Sequence, residues 1–530
     1  MGSIQSQNDL KNAWRGAMIL TVAGIITKIL SAGYRIPFQN IVGDVGFYIY
    51  QQVYPFYGVA LILSIYGFPV VISKLVAEQP LAERRAAIHK IMNVSFILLS
   101  FLGLLLFISL YVGAREIAIL MGDVRLTSII KVTSFTFLIL PIVSTLRGAF
   151  QGENNMTPTA VSQVSEQFFR VLFIIGASYF LLVKGESLYT IGAGAMLGSV
   201  VGGIVALVLL LFLWRKYKRN EEGKEKTTLT TLEISKVLFI QGFTICISSL
   251  LLILLQMIDA FTIYAILIQT GIEEELAKQL KGSYDRGQPL IQLGTVVATA
   301  FSLSLVPLIT IAKGKNDQQL IKDKVSLSIR VSILIGLGAS FGLALLIGPI
   351  NTMLFKNSFS SDVLFVLSFS ILFSSIALTA AAILHGLNKP LLPAGFVLIG
   401  VGAKWIMNVG LVPVYGTLGA AFSTVLALAV VAFLLIMSVK KRTGVAIWNT
   451  SHVYTLGKAV ILMTILLTAY MQVTSLLQWD GRLSATIIAF IGVFLGGAIY
   501  LVTILRSSFF QEKELSLLPL GNKITFLLKK

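Results

Sequence analysis

An all-α protein that crosses a membrane many times is the fold class this sequence predicts, on three observations. The chain is 56% hydrophobic and only 12% charged, with a mean hydropathy of +0.86; a soluble domain has about 45–50% apolar and about 25% charged residues. Apolar runs near the ~20 residues that cross a bilayer recur along the whole length. Lys and Arg crowd into alternate connections between those runs.

The apolar runs predict fourteen helices, at roughly 14–38, 47–77, 88–112, 127–147, 159–183, 188–213, 236–268, 289–312, 326–349, 362–384, 391–413, 416–438, 455–475 and 483–505. The opening "MGSIQSQNDLKNAWRG" lacks the short apolar region and small-residue cleavage site of a signal peptide, so the first run is expected to remain as a helix. The longest polar stretch, "WRKYKRNEEGKEKTTLTTLEISK", divides the chain after helix six. The expected parts are 1–213 (six helices), a linker at 214–235, 236–438 (six helices), and 439–530 with helices thirteen and fourteen and a polar tail.

Orientation follows from short-loop cations. With both termini on the cytoplasmic side, inner segments hold 27 of the 42 Lys and Arg, outer segments eight (among them Arg125, Lys278, Lys281 and Arg286), and seven fall inside spans. Arg147 counts as an inner loop residue. The +18 charge therefore reads as topology and contact with anionic lipid, not as a nucleic-acid site. A monomer in a bacterial cell membrane is expected.

A weak internal repeat supports two related halves, a common transporter plan. "LRGAFQGENNMTPTAVSQVSEQFFR" and "AAILHGLNKPLLPAGFVLIGVGAK" share Gly-x-Asn (Gly152/Asn154 and Gly386/Asn388), a following proline (Pro158, Pro393), and a cation 18 residues after the Gly, Arg170 and Lys404.

Enzyme motifs are missing: there is no HExxH, P-loop or nucleophile elbow. His89, His385 and His452 form no metal-like spacing, and the single Cys246 reads as a buried hydrophobe. Neither metal nor cofactor is expected. The informative residues are ionisable groups within spans, which usually face a bundle interior or a wet cavity. Lys28 and Arg35 lie seven residues apart, two turns up one helix face. Lys74 reads as a snorkelling interfacial residue. Glu166 and Arg170 are spaced for an i,i+4 pair. Asp259 and Lys404 are expected to neutralise one another, directly or through Asn408.

Helix two begins "GFYIYQQVYPFYG". Tyr50, Tyr54 and Tyr57 share a face, as either an interfacial aromatic belt or a stacking surface for sugars. Gln51 and Gln52 have no place in a belt and are assigned to a cavity mouth, offering hydrogen bonds to sugar hydroxyls. Pro55 and Pro69 allow a bend. Gly194, Gly198 and Gly202 form a small-residue packing row.

Four stretches carry a resemblance over the whole chain: "RGAMILTVAGIITKILSAGYRIPFQNIVG", "YGFPVVISKLVAE", "RGAFQGENNMTPTAVSQVSEQFFR" and "GQPLIQLGTVVATAFSLSLVPLIT". The chain resembles the multidrug/oligosaccharidyl-lipid/polysaccharide (MOP) flippase superfamily, in the branch with MurJ-type lipid II flippases and stage V sporulation protein B. The resemblance implies two pseudo-symmetric six-helix lobes around a central cavity, alternating access, and two C-terminal helices forming a groove for a lipid tail. It implies no enzyme activity, and an undecaprenyl-pyrophosphate-linked saccharide as substrate in cell-wall, peptidoglycan or polysaccharide biosynthesis or sporulation. Lys28, Arg35 and Arg286 are expected to converge on that cavity, with Gln51, Gln52, Tyr54 and Arg170 among its lining. The acidic partner usual near the helix-one arginine has only Asp44 as a candidate. Some relatives bind sodium between helices seven, eleven and twelve; here that region offers Asp259, Asn408 and Thr424, but Lys404 sits one turn before Asn408. The alternatives are a drug/cation antiporter of the same fold, which favours an acidic cavity, and a membrane glycosyl- or acyltransferase, whose acidic or histidine groups cannot be assembled.

Overall fold

The computed structural model describes residues 2–80, 84–218, 227–314, 316–445, 450–476, 481–507, 509–510 and 514. Among these, every regular element is a helix, and twelve stretches are long and apolar enough to cross a membrane. The first of these stretches, Met18–Ala77, has 60 residues, and another, Leu391–Thr443, has 53. At 1.5 Å per residue, unbroken helices of that length would reach about 80–90 Å, against a hydrocarbon core of about 30 Å. Each is broken near its middle by a glycine outside helical geometry, Gly43 (φ 71°, ψ −175°) and Gly416 (φ 57°, ψ −138°). Positive φ of this kind is open to glycine without steric cost.

The chain gathers into two compact units, 1–285 with 390–423, and 286–389 with 424–530. The first is built from α1 (Gly2–Gly33), α2 (Arg35–Ile62), α3 (Phe68–Ala77), α4 (Arg84–Val112), α5 (Ala114–Leu120), α6 (Thr127–Ser134), α7 (Thr136–Gly152), α8 (Thr157–Val183), α9 (Leu188–Lys218), α10 (Thr231–Val237), α11 (Phe243–Ser249), α12 (Leu251–Gln269) and α13 (Glu274–Asp285). The second begins with α14 (Gly287–Gly314), α15 (Gln318–Leu345), α16 (Ile347–Phe355), α17 (Ser361–Ser368) and α18 (Ser370–Gly386). After α19 (Leu391–Thr443), which contributes its residues to 423 to the first unit, come α20 (Thr450–Leu476) and α21 (Arg482–Leu505).

Local chemistry sets where these helices begin and bend. α10 starts earlier than its apolar run suggests, because Thr230 and Glu233 form a reciprocal capping box (Thr230 N to Glu233 Oε2 2.9 Å, Glu233 N to Thr230 Oγ1 3.2 Å). One-turn π-helices interrupt two spans, at Leu63–Gly67 between α2 and α3, just before Pro69, and at Leu238–Gly242 between α10 and α11. Such bulges re-aim a helix without ending it. The two bulges pack reciprocally: a Cβ on Gly67 would lie 2.0 Å from Cys246 Sγ, and one on Gly242 would lie 2.7 Å from the Phe68 ring. Phe68 and Phe243 meet edge to face at 5.9 Å.

The small-residue row of α9 is a packing surface against α8. A Cβ at Gly202 would stand 2.6 Å from the Glu166 carbonyl, and one at Gly198 3.1 Å from that of Arg170. The two segments with the shared Gly-x-Asn pattern end in the same turn. Asn154 and Asn388 are both left-handed (φ 59° and 55°). Their amides bond three residues back, to Gln151 O (3.0 Å) and His385 O (2.8 Å), and the next amides bond five back, to Phe150 O (3.0 Å) and Leu384 O (2.9 Å). These are Schellman-type ends.

Candidate functional site

The first unit buries several of its cations. Arg35, Arg147, Arg170 and Lys404 have no exposed surface, and Asp259 is 2% exposed. Uncompensated, such groups are too costly to keep, so their partners show what each can do.

Arg170, on α8, is fully occupied. Its Nε donates to Ser199 Oγ (3.1 Å), Nη1 to Gln167 Oε1 (3.2 Å), and Nη2 to the hydroxyls of Tyr34 and Tyr50 (3.0 Å each). Those hydroxyls lie 2.7 Å apart. The guanidinium also stands over the Tyr57 ring at 4.0 Å, a cation–π contact. The tyrosine face of α2 is therefore the wall of a buried cage rather than a belt at the lipid surface. Tyr34 belongs to this cage and sits at the junction of α1 and α2.

Arg35 lies beside the same wall, 4.2 Å over the Tyr54 ring and next to the Tyr34 side chain; its three guanidinium nitrogens make no well-aligned hydrogen bond and no ion pair among the described residues. Nearby in the sequence, Gln39 Oε1, Gln51 Oε1, Gln52 Oε1 and the Tyr57 hydroxyl are likewise buried without partners. Gln52 uses its amide nitrogen on Ala260 O (3.0 Å). Gln51 and Gln52 are 5% and 0% exposed, so they line the interior rather than a mouth. Gln39 donates to Asp44 Oδ1 (2.9 Å), just past the Gly43 break.

A second cluster centres on Asp259 of α12. Its Oδ1 is 2.7 Å from Lys404 Nζ and accepts from Asn408 Nδ2 (3.0 Å); its Oδ2 accepts from the Tyr284 hydroxyl (2.9 Å). Asn408 Nδ2 also reaches Thr262 Oγ1 (2.8 Å). Lys404 Nζ also donates to Ala420 O (3.2 Å) and, at 3.5 Å, to the Tyr284 oxygen.

Glu166 does not pair with Arg170. Its partner is Arg147 of α7 (2.8 Å), which also donates to Ser162 Oγ (3.0 Å) and to Ser64 O of the π-turn (3.3 Å). The spacing that suggested an i,i+4 pair loses to a fixed bidentate-capable neighbour in another helix. Arg147 is thus not a loop cation. Nor are Lys278 and Lys281: both are buried on α13, Lys281 bonding Asp285 (2.7 Å) and Lys278 pairing with Glu274. The sequence carried the signal, since Glu274, Lys278, Lys281 and Asp285 are spaced for one helix, and α13 was missed because it is too polar for a span. Lys28 is half-buried on α1. Lys74 is half-exposed and bonds Gln241 Oε1 (3.2 Å), with Glu78 3.9 Å away.

In the second unit, Arg286 is buried and spends Nη1 on Asn351 Oδ1 (2.9 Å) and Asn357 Oδ1 (2.8 Å), over the Phe355 ring at 5.2 Å. Thr424 is 4% exposed. α14, α15, α16, α18, α20 and α21 line an open apolar pocket of about 560 Å³, within the usual range of ligand pockets. Gly294, Gly338, Gly342, Gly492, Gly496 and Gly497 leave much of its wall without side chains.

The polysaccharide biosynthesis protein family matches residues 13–313, more than half of the chain. The chain belongs to that family. It is 44% identical to the Bacillus subtilis protein named Uncharacterized membrane protein YabM over 98% of this chain and 97% of the relative. It is 28% identical to the B. subtilis Lipid II flippase MurJ over 94% and 96%. A solved structure of the lipid II flippase MurJ in an inward closed conformation shares the fold at TM-score 0.65 and 15% identity, covering 92% of this chain and 98% of that one. The chain is a multi-pass membrane protein of this family, similar to flippases and transporters rather than to enzymes. Sodium, bound by some members, does not fit the Asp259 cluster here. A hard cation needs several oxygen lone pairs, whereas both carboxylate oxygens face donors: an ammonium, an amide NH₂ and a hydroxyl.

Proposed function

We propose that this MOP-family protein is a flippase that moves an undecaprenyl-pyrophosphate-linked saccharide, lipid II or a close cell-wall relative, from the inner to the outer leaflet by alternating access. The observation that carries the reading is Arg35: a guanidinium with no exposed surface, set among the Tyr34 and Tyr54 side chains and without an ion pair among the described residues. Arginine is the side chain suited to phosphate, offering five donors in a planar fork, and one left open in a span is a binding group awaiting an anion. The unpaired amide oxygens of Gln51 and Gln52 and the Tyr57 hydroxyl, buried on the same helix, are groups that can hydrogen-bond sugar hydroxyls. The glycine-walled apolar cavity gives a polyprenyl tail a lipid-like berth. Whole-length similarity to a named lipid II flippase supports the same cargo class.

A drug/cation antiporter of the same fold calls for an open carboxylate. Here Glu166, Asp259 and Asp285 already face Arg147, Lys404 and Lys281. Depletion in the native cell tests the reading: lipid-linked saccharide precursors should accumulate on the cytoplasmic side. Unchanged precursor pools, in a strain lacking redundant flippases, would refute it.

A further inference from the structure

We propose that Lys404 is a tethered counter-cation for Asp259, filling from within the chain the place a dissolved cation would take, so that the transport cycle does not require sodium. The inference goes beyond the cargo named above and concerns what drives or permits the cycle.

The geometry is complete on both sides of the pair. Lys404 has three N–H donors and no lone pair. The acceptors around it include Asp259 Oδ1 at 2.7 Å, Ala420 O at 3.2 Å and the Tyr284 oxygen at 3.5 Å. Asp259 in turn receives a donor on each oxygen besides the ammonium, from Asn408 and Tyr284. The cluster draws on three elements of one unit: α12, α13 and α19, the last from both sides of Gly416. Its net charge is zero without any exogenous ion. A sodium ion entering here would have to displace Nζ and meet hydrogen atoms where it needs lone pairs. The neighbouring Lys281–Asp285 pair is self-compensated in the same way (2.7 Å), so it offers no spare carboxylate either.

Removing the ammonium should expose the latent cation site. The test is thermal unfolding of the full-length protein in detergent at pH 8, in sodium chloride against choline chloride of equal ionic strength. The unaltered protein should show the same melting temperature in both. Lys404→Met, which keeps the packing of the stem, and Lys404→Ala should each gain a sodium-dependent rise of about 2 °C or more, because a ligand that binds only the folded state raises Tm. Asp259→Asn/Lys404→Met should fold and lose that response. Sodium-specific stabilisation of the unaltered protein would overturn the proposal. So would a folded Lys404→Met that ignores sodium, or a double variant that still responds. If neither single variant folds, the unaltered protein's response to sodium decides alone. None of these readouts depends on the identity of the transported saccharide.

Discussion

Asp259 and Lys404, 145 positions apart in the chain, meet at 2.7 Å inside one compact unit, with Asn408 and Tyr284 closing the carboxylate's remaining directions. Breaking such a pair by removing one partner leaves an uncompensated buried charge and costs about 3–5 kcal/mol. Replacing both by apolar residues removes the burden as well as the attraction. Asp259→Leu and Lys404→Met should therefore each lower unfolding stability by about 3–5 kcal/mol, and the double variant should lose less than the sum of the two. A double-mutant cycle on the purified protein measures the coupling. Additive losses would mean the pair does not act as a unit.

The two tyrosine-flanked arginines should separate function from stability. Arg170→Gln breaks bonds to Tyr34, Tyr50 and Ser199, which should cost about 2–4 kcal/mol when buried donors and acceptors are left unmatched. Arg35→Gln breaks no ion pair and loses only its contacts with Tyr34 and Tyr54, so it should lower Tm less than Arg170→Gln does while abolishing complementation of a depleted strain. Thermal unfolding alongside complementation distinguishes the two.

Arg147→Ala should be more damaging than its former reading as a loop cation implies. It strands Glu166 at low exposure and frees the Ser64 carbonyl in the π-turn, for a loss of about 3–5 kcal/mol. The paired change Arg147→Met/Glu166→Leu should recover much of that, measured by denaturant or thermal unfolding.

The π-bulge interlock gives a rescue test. Gly67→Ala places a methyl 2.0 Å from Cys246 Sγ, an overpacking cost of about 1–3 kcal/mol. Cys246→Ala removes that sulfur, leaving its own Cβ 3.5 Å from the new methyl. Gly67→Ala/Cys246→Ala should thus be more stable than Gly67→Ala alone.

Gly342 opens into the apolar cavity with nothing within 4 Å of an added Cβ. Gly342→Phe should fold as well as the parent, helped by relief of the ~1 kcal/mol helix penalty of glycine. By filling the berth assigned to the lipid tail it should lower transport several-fold. Normal transport by a stably folded Gly342→Phe would remove the cavity from the account.

The many-span helical fold was legible in composition and in apolar runs, because lipid exposure writes itself into nearly every residue of a span. Helix ends were less so: α10 starts at its capping box, and α13 is an amphipathic helix with too little hydropathy to register as a span. The cluster at Asp259, Lys404 and Asn408 was legible because lone charges in apolar runs must find each other. Tyr284 was not, since it sits in what reads as a connection. The partner of Glu166 was misread because spacing along one helix says nothing about Arg147 on the neighbouring one. Gln51 and Gln52 were legible as out of place in a lipid-facing belt, but the tyrosines read equally as belt or cavity surface, and an inward cage and a cavity mouth leave the same sequence pattern.

The central claim is best tested with purified protein in liposomes carrying a fluorescent polyprenyl-pyrophosphate saccharide, following the fraction that a membrane-impermeant quencher can reach. The account predicts that the unaltered protein moves the protected, inner-leaflet pool into reach of the quencher and that Arg35→Gln, equally well folded and inserted, leaves it protected. An unaltered protein that leaves the pool protected, or an Arg35→Gln variant that transfers it at the same rate, would contradict it.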